Sequence, residues 1–238
     1  FLEVLFNKFR RYMPDSETLK YEAAKKAVEL IHSGMIIGLG TGSTANFALE
    51  IIAEKLHNGL INDIKGIPSS AATEKLALNL GIPLTNLSEN PIIDLTIDGT
   101  DEVDLHKNLI KGGGGALLRE KIIAQASKRE VIIVDSSKLS DRLGTKWHLP
   151  IEVIPFAHSC EKHFLEILGA EVTLRKKNGE IFITDENNYI LDCNFGIIEN
   201  PEELALKLND RAGIVEHGLF VNLCHTLIVA TETGVVIK

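Results

Sequence analysis

Two rhythms of apolar residues run along the chain. A helical spacing places Leu19, Ala23, Ala27, Leu30 and Ile31 on one side of a helix that Asp15 and Ser16 can cap and Gly34 can end. A second helix turns Phe47, Ile51, Ile52 and Leu56 inward. Ser69 and Ser70 offer caps for a third, running through Leu80 and closed by Gly81. Between them stand short unbroken apolar runs: Met35 to Ile37, Ile64 to Pro68, Ile92 to Ile97 and Val131 to Val134. Such runs, separated by helices, predict strands covered on both faces. The expected fold class is therefore α/β, a mainly parallel sheet with helices on both faces.

After Pro150 the pattern changes. Val172 and Leu174 alternate with Glu171, Thr173 and Arg175, as on a strand. Lys177-Asn178-Gly179 is a hairpin signal, and Ile181-Phe182-Ile183 continues beyond it. Asn200, Pro201 and Glu202-Glu203 supply a cap, a first-turn proline and acids at the positive end of a helix. The segment reads as a small α+β domain. The tail from Leu219 to Lys238 is strand-like again and is expected to return to the first domain. The division expected is 13–146 with 220–238 as the main domain and 147–219 as the small one. Residues 1–12 are set apart as an N-terminal extension, with Met13 a natural start. Glu3 interrupts their apolar stretch and their positive residues follow it, unlike a signal peptide.

Composition narrows the function classes. The chain has 238 residues, 45% hydrophobic and 24% charged, ordinary for a globular protein. No apolar run approaches the roughly 18 residues of a membrane span, so no membrane partner is expected. The net charge of −8 disfavours nucleic acid, because no basic run exceeds Arg175-Lys176-Lys177. A few focused lysines can still attract a small anion. Cys160, Cys193 and Cys224 are odd in number and lack a CxxC pair, which points to reduced thiols and a cytoplasmic setting.

In an open parallel sheet, ligands bind beyond the carboxyl ends of the strands. The first strand empties into Gly40-Thr41-Gly42-Ser43-Thr44, the second into Ser69-Ser70, the third into Asp98-Gly99-Thr100-Asp101-Glu102, and the last into Asp135-Ser136-Ser137-Lys138. Lys111-Gly112-Gly113-Gly114-Gly115 precedes a further helix. The first loop reads as a phosphate cradle or as a plain tight turn. It lacks the Walker lysine, and Ser43 stands where a nicotinamide fingerprint needs its third glycine. The acids Asp94, Asp98, Asp101, Glu102 and Asp104 read as metal ligands, as a solvated loop or as carboxylates that handle sugar hydroxyl protons. Four glycines after Lys111 carry a large entropic cost, which suits a loop that wraps something closely or a lid without chemistry. Glu120 reads as a general base or as an acid favoured by a helix N-terminus. His158, Cys160 and His163 fit no zinc spacing. Trp147 and His148 read as packing at the domain junction.

Taken in order, Gly38-Leu39-Gly40-Thr41-Gly42-Ser43-Thr44, Asp98-Gly99-Thr100-Asp101-Glu102, Lys111-Gly112-Gly113-Gly114 with Arg119-Glu120-Lys121, and Asp135-Ser136-Ser137-Lys138 resemble the ribose-5-phosphate isomerases of the A type. Pro150 to Ala157 and Gly218-Leu219-Phe220 resemble the family as well, so the likeness covers Met13 to Lys238. Gly115, Leu118 and Thr100 depart from its usual Ala, Thr and Ala, which bears on loop stiffness. The resemblance implies a Rossmann-like main domain and a homodimer or homotetramer. It also implies interconversion of D-ribose 5-phosphate and D-ribulose 5-phosphate in the pentose phosphate pathway, through a cis-enediolate, with no cofactor and no metal. By position Glu120 matches the family's proton acceptor. Thr41, Gly42, Ser43, Thr44, Asp98, Gly99, Thr100, Asp101, Lys111, Gly112, Gly113, Gly114 and Lys138 match its substrate contacts. Lys111 is expected to stabilise the enediolate, and Asp98 or Asp101 to assist ring opening. The alternative class is a non-catalytic sugar-phosphate-sensing domain.

Overall fold

The computed structural model describes residues 16–238. The expected cap at Asp15 and the extension 1–12 lie outside the described residues. The chain runs α1 (Ser16–Val28), β1 (Ile36–Leu39), α2 (Ser43–His57), β2 (Lys65–Pro68), α3 (Ala71–Asn79), β3 (Leu95–Asp98), β4 (Glu102–Val103), β5 (Leu109–Ile110), α4 (Leu117–Ala126) and β6 (Glu130–Asp135). It continues with β7 (Leu149–Val153), α5 (His158–Ile167), β8 (Glu171–Leu174), β9 (Lys176–Lys177), β10 (Glu180–Ile181), β11 (Tyr189–Asn194) and α6 (Pro201–Asn209). The last strands are β12 (Ile214–His217), β13 (Leu219–Phe220), β14 (Thr226–Thr231) and β15 (Gly234–Ile237).

A six-stranded sheet in the order β15-β14-β6-β3-β1-β2 forms the centre. Every pair is parallel except β14 with β15, so the sheet is mainly parallel, as the Ile/Val runs predict. All six residues of β6 are buried, because the sheet is covered on both faces. One face carries α1 and α2, with Ala23, Ala27, Leu49 and Ile52 packed on Ile37, Ile97 and Val131. On the other, Ala124 of α4 meets Ile132, Val134 and Phe220. Chain order reverses between β1 and β3, which lie side by side. That reversal opens a crevice beyond their carboxyl ends.

A four-stranded antiparallel sheet, β12-β7-β11-β8, holds a second core around Ile151, Leu165, Leu191 and Leu208. A small sheet, β13-β5-β4, links the two. The Asn178-Gly179 turn joins β9 to β10 with both residues at positive φ, 54° and 87°, the geometry a two-residue hairpin needs. Asn200 caps α6 by accepting from the Glu203 N–H at 3.1 Å. Several expected boundaries differ, and the strand expected over Ile181 to Ile183 stops at Ile181. α1 ends at Val28 rather than at Gly34, which serves a later turn with φ 84°. β3 begins at Leu95 because Ile92 is exposed and Ile93 pairs with Ser127 instead. Among the described residues no helix is long and apolar enough to cross a membrane.

Candidate active site

The site begins where β1 stops. A Cβ on Gly40 would sit 2.4 Å from Asp98 Oδ1 and 2.5 Å from the Ile97 carbonyl, so only glycine lets β1 leave this close to β3. Asp98 Oδ1 then accepts from the Thr41 N–H at 3.0 Å and the Gly99 N–H at 2.7 Å. Gly42, at φ 112°, turns the chain into α2, whose first residues are Ser43 and Thr44. The helix N-terminus therefore faces the crevice with its unpaired N–H groups, a favourable place for an anion. The Thr41 hydroxyl is fixed by Ser69 Oγ at 2.7 Å, Ser70 Oγ at 2.9 Å and Thr73 Oγ1 at 2.9 Å. Ser69 and Ser70 are thus buried supports beneath the loop. Ser70 also caps α3 by accepting from the Thr73 N–H at 3.0 Å.

Beside this loop lies a buried lysine between two carboxylates. Lys111 is only 2% exposed, and its Nζ stands 3.0 Å from Asp98 Oδ2 and 3.3 Å from Glu120 Oε1. It also donates to the Gly99 carbonyl at 2.5 Å. The backbone of Lys111 is pinned by its N–H to Gly218 O at 2.9 Å. Asp98 and Glu120 drive the Lys111 pKa upward despite burial, so its ammonium stays charged. Burial works the other way on Glu120. It pushes this carboxyl up to about 8, opposed by Lys111 and reinforced by Asp98 and Asp101. Glu120 Oε2 is buried and has no hydrogen-bond partner among the described residues. Desolvation likewise raises Asp101, whose carboxylate accepts from the Gly113 N–H at 2.7 Å.

These segments close around a single cleft. Of the residues expected to touch substrate, all line it except Asp98, and Glu120 lines it too. Asp98 is 1% exposed and lies behind Lys111, its oxygens taken up by that ammonium and two backbone donors. The acidic cluster separates. Asp94 accepts from Ile36 N and Lys128, while Asp104 organises its own turn through His106 N and Asn108 N. Glu102 is wholly buried and accepts from the backbone N–H groups of Gly144, Thr145, Lys146 and Trp147. Among the described residues no group of three His, Cys, Asp or Glu side chains is placed to hold a metal ion.

Lys138 enters from the short helix after β6 and forms no ion pair among the described residues. Its Nζ lies 5.4 Å from the centre of the Trp147 ring, a cation–π contact. Trp147 is 38% exposed. Sequence reasoning missed other supports. Arg175, on the edge of the second sheet, donates to Gly112 O and Gly113 O. The Phe182 ring fills the space a Cβ on Gly115 would need. Lys121 anchors α4 to β12 through Glu216 Oε1 and His217 O, both at 2.6 Å, with His217 held neutral by burial at about 3. Glu130 is buried, and neither of its carboxyl oxygens has a partner among the described residues. Only Arg175 had a sequence signal, its outward position on a strand adjoining a hairpin.

The sequence profile of the family described as ribose 5-phosphate isomerase A (phosphoriboisomerase A) matches residues 65–234. The chain belongs to the ribose 5-phosphate isomerase A family. A ribose-5-phosphate isomerase A of Desulfatibacillum aliphaticivorans is 54% identical over 224 residues, covering 94% of this chain and 97% of the relative. One from Chloroflexus aurantiacus is 54% identical over 221 residues, 92% of each chain. Among solved structures, the ribose 5-phosphate isomerase of Plasmodium falciparum superposes with a TM-score of 0.90 at 43% identity, covering 93% of this chain and 98% of that one. A D-ribose-5-phosphate isomerase in complex with phospho-erythronic acid gives 0.92 at 40% identity, covering 94% and 99%. The chain is thus an isomerase of this family, with the family's α/β fold.

Proposed function

We propose that the cleft interconverts D-ribose 5-phosphate and D-ribulose 5-phosphate by a single-carboxylate proton shuttle on Glu120. The observation that carries this reading is the free Oε2 of Glu120, buried beside the charged Lys111. A carboxylate with a raised pKa is matched to taking a weakly acidic C–H proton near neutral pH. In the forward direction Glu120 takes the C2 proton. The electron pair forms the C1–C2 double bond and the C1 carbonyl oxygen becomes the enediolate oxyanion. Returning the proton to C1 on the same face, as O2 becomes the carbonyl oxygen and O1 gains its proton, completes the exchange. Lys111 and the glycine-loop N–H groups offset the charge that develops.

Asp101 is the better candidate for ring opening and for moving the proton between O1 and O2. It lines the cleft, whereas Asp98 is committed to Lys111. The phosphate is assigned to the loop Thr41–Thr44 and to Lys138, the cleft lysine that forms no ion pair among the described residues. Holding the phosphate there fixes the reacting carbons against Glu120. The neighbour that holds phospho-erythronic acid, a four-carbon phosphorylated acid, supports a pocket of this charge. We extend the reading to the main domain 13–146 with 220–238, the small domain 147–219, a homodimer or homotetramer, and a cytoplasmic setting. Free thiols at Cys160, Cys193 and Cys224 support the last.

The test is incubation with ribose 5-phosphate in the presence of a chelator, following ketose formation by absorbance. The isomerase reading expects an undiminished signal. No signal from the intact protein indicates the sensor class, and a signal abolished by chelator indicates metal chemistry.

A further inference from the structure

The glycine loop is held from outside the cleft. Nη1 of Arg175 donates to Gly112 O at 2.9 Å and to Gly113 O at 3.2 Å. The same guanidinium is paired with the Asp192 carboxylate and lies 5.9 Å from the centre of the Phe182 ring. Asp192 lies in β11 of the second sheet and Arg175 directly follows β8, and neither lines the catalytic cleft.

The consequence follows from peptide geometry. In a planar trans peptide the C=O and N–H point in opposite directions. With Gly112 O drawn toward Arg175, the Gly113 N–H points away and reaches Asp101 Oδ2 at 2.7 Å. Gly113 O is drawn the same way, which turns the Gly114 N–H toward the Asp101 side. Gly114 lines the cleft, and its N–H has no partner among the described residues. The Gly115 N–H closes the turn on Gly112 O at 2.9 Å, so Gly112 O has two donors, whereas among the described residues Gly113 O is held by Arg175 alone, and glycine has no side chain to hold such a peptide.

We propose that Arg175 is a positioning residue for the isomerisation, holding the Gly113–Gly114 peptide so that the Gly114 N–H is presented to the enediolate oxyanion. The inference rests on the isomerase reading above. Donors aimed at developing charge act chiefly on the transition state. Loss of the clamp therefore lowers kcat while leaving ground-state binding nearly intact.

The experiment compares the full chain with Arg175→Met and Arg175→Lys, using ribose 5-phosphate and recording circular dichroism and melting alongside. Arg175→Met is expected to lower kcat roughly 10–100-fold, less than outright loss of an oxyanion donor, with KM within about threefold. Arg175→Lys, which keeps one donor to the loop, is expected to fall between Met and wild type, again with KM unchanged. It carries the test alone if the Met variant does not fold. Wild-type kcat in a folded variant overturns the clamp while leaving the isomerase reading intact. So does a raised KM with kcat unchanged. A wild-type chain that does not turn over ribose 5-phosphate overturns both.

Discussion

Glu120 gives one carboxyl oxygen to Lys111 at 3.3 Å and leaves the other buried with no partner among the described residues. A carboxylate used only to neutralise a lysine gains nothing from a desolvated free oxygen, since an unmade buried hydrogen bond is costly. The arrangement makes sense for a group that must alternately hold and release a proton.

The pH dependence of kcat/KM reports that group. Burial raises Glu120 to about 8, and the shuttle needs its ionised form. Activity should fall as pH drops below about 8, by about tenfold per pH unit. Stability runs in the opposite direction. The folded chain holds this proton more tightly than the unfolded one, so the associated stability is complete below 4.5 and lost as pH rises through 8. Glu120→Gln should therefore gain melting temperature relative to wild type as pH rises across that window. An acid limb near the ordinary carboxylate value, with a pH-independent melting difference, contradicts the assignment.

Lys138→Ala removes the cleft lysine that forms no ion pair among the described residues. A charge-assisted hydrogen bond is worth about 1.5–3 kcal/mol, so KM for ribose 5-phosphate should rise roughly 10–100-fold. Because Lys111 is already matched by Asp98, added salt should weaken substrate binding far less in this variant than in wild type. Steady-state kinetics at two ionic strengths check this. An unchanged KM would move the phosphate elsewhere.

Glu130 is a buried acid with neither oxygen paired, and burial pushes its pKa well above the usual range. Burial therefore favours its neutral form. Glu130→Leu should stabilise the fold by about 1–3 kcal/mol, the usual penalty of an unsatisfied buried polar group. Wild-type stability falls as pH climbs toward the raised value, so the gain should be larger at alkaline pH. Thermal melts at two pH values decide it. A variant less stable than wild type at both would mean that Glu130 has a partner.

The parallel sheet was legible because its strands are unbroken Ile/Val runs and its turns are glycine-rich. The cleft was legible for a related reason: a parallel sheet sends every such turn to one rim, so Thr41, Asp101, Gly113 and Lys138 had to approach one another. What the pattern did not carry was depth. Asp98 and Asp101 are alike in sequence, yet one ends a strand behind Lys111 and the other lies a turn further on and lines the cleft. Asp94, Glu102 and Asp104 appeared as one acidic cluster but are separate caps for backbone N–H groups, a role set by local chain direction. Arg175 reaches the glycine loop across 62 residues of sequence, and no local period records such a contact.

The most direct test of the central claim is Glu120→Gln, assayed for ribose 5-phosphate turnover alongside substrate affinity measured by calorimetry. Glutamine keeps the shape and a hydrogen-bonding oxygen for Lys111 but accepts no proton. Turnover should fall roughly 10²–10⁴-fold while affinity stays within a few fold. Turnover close to wild type in a folded, substrate-binding variant would contradict the account.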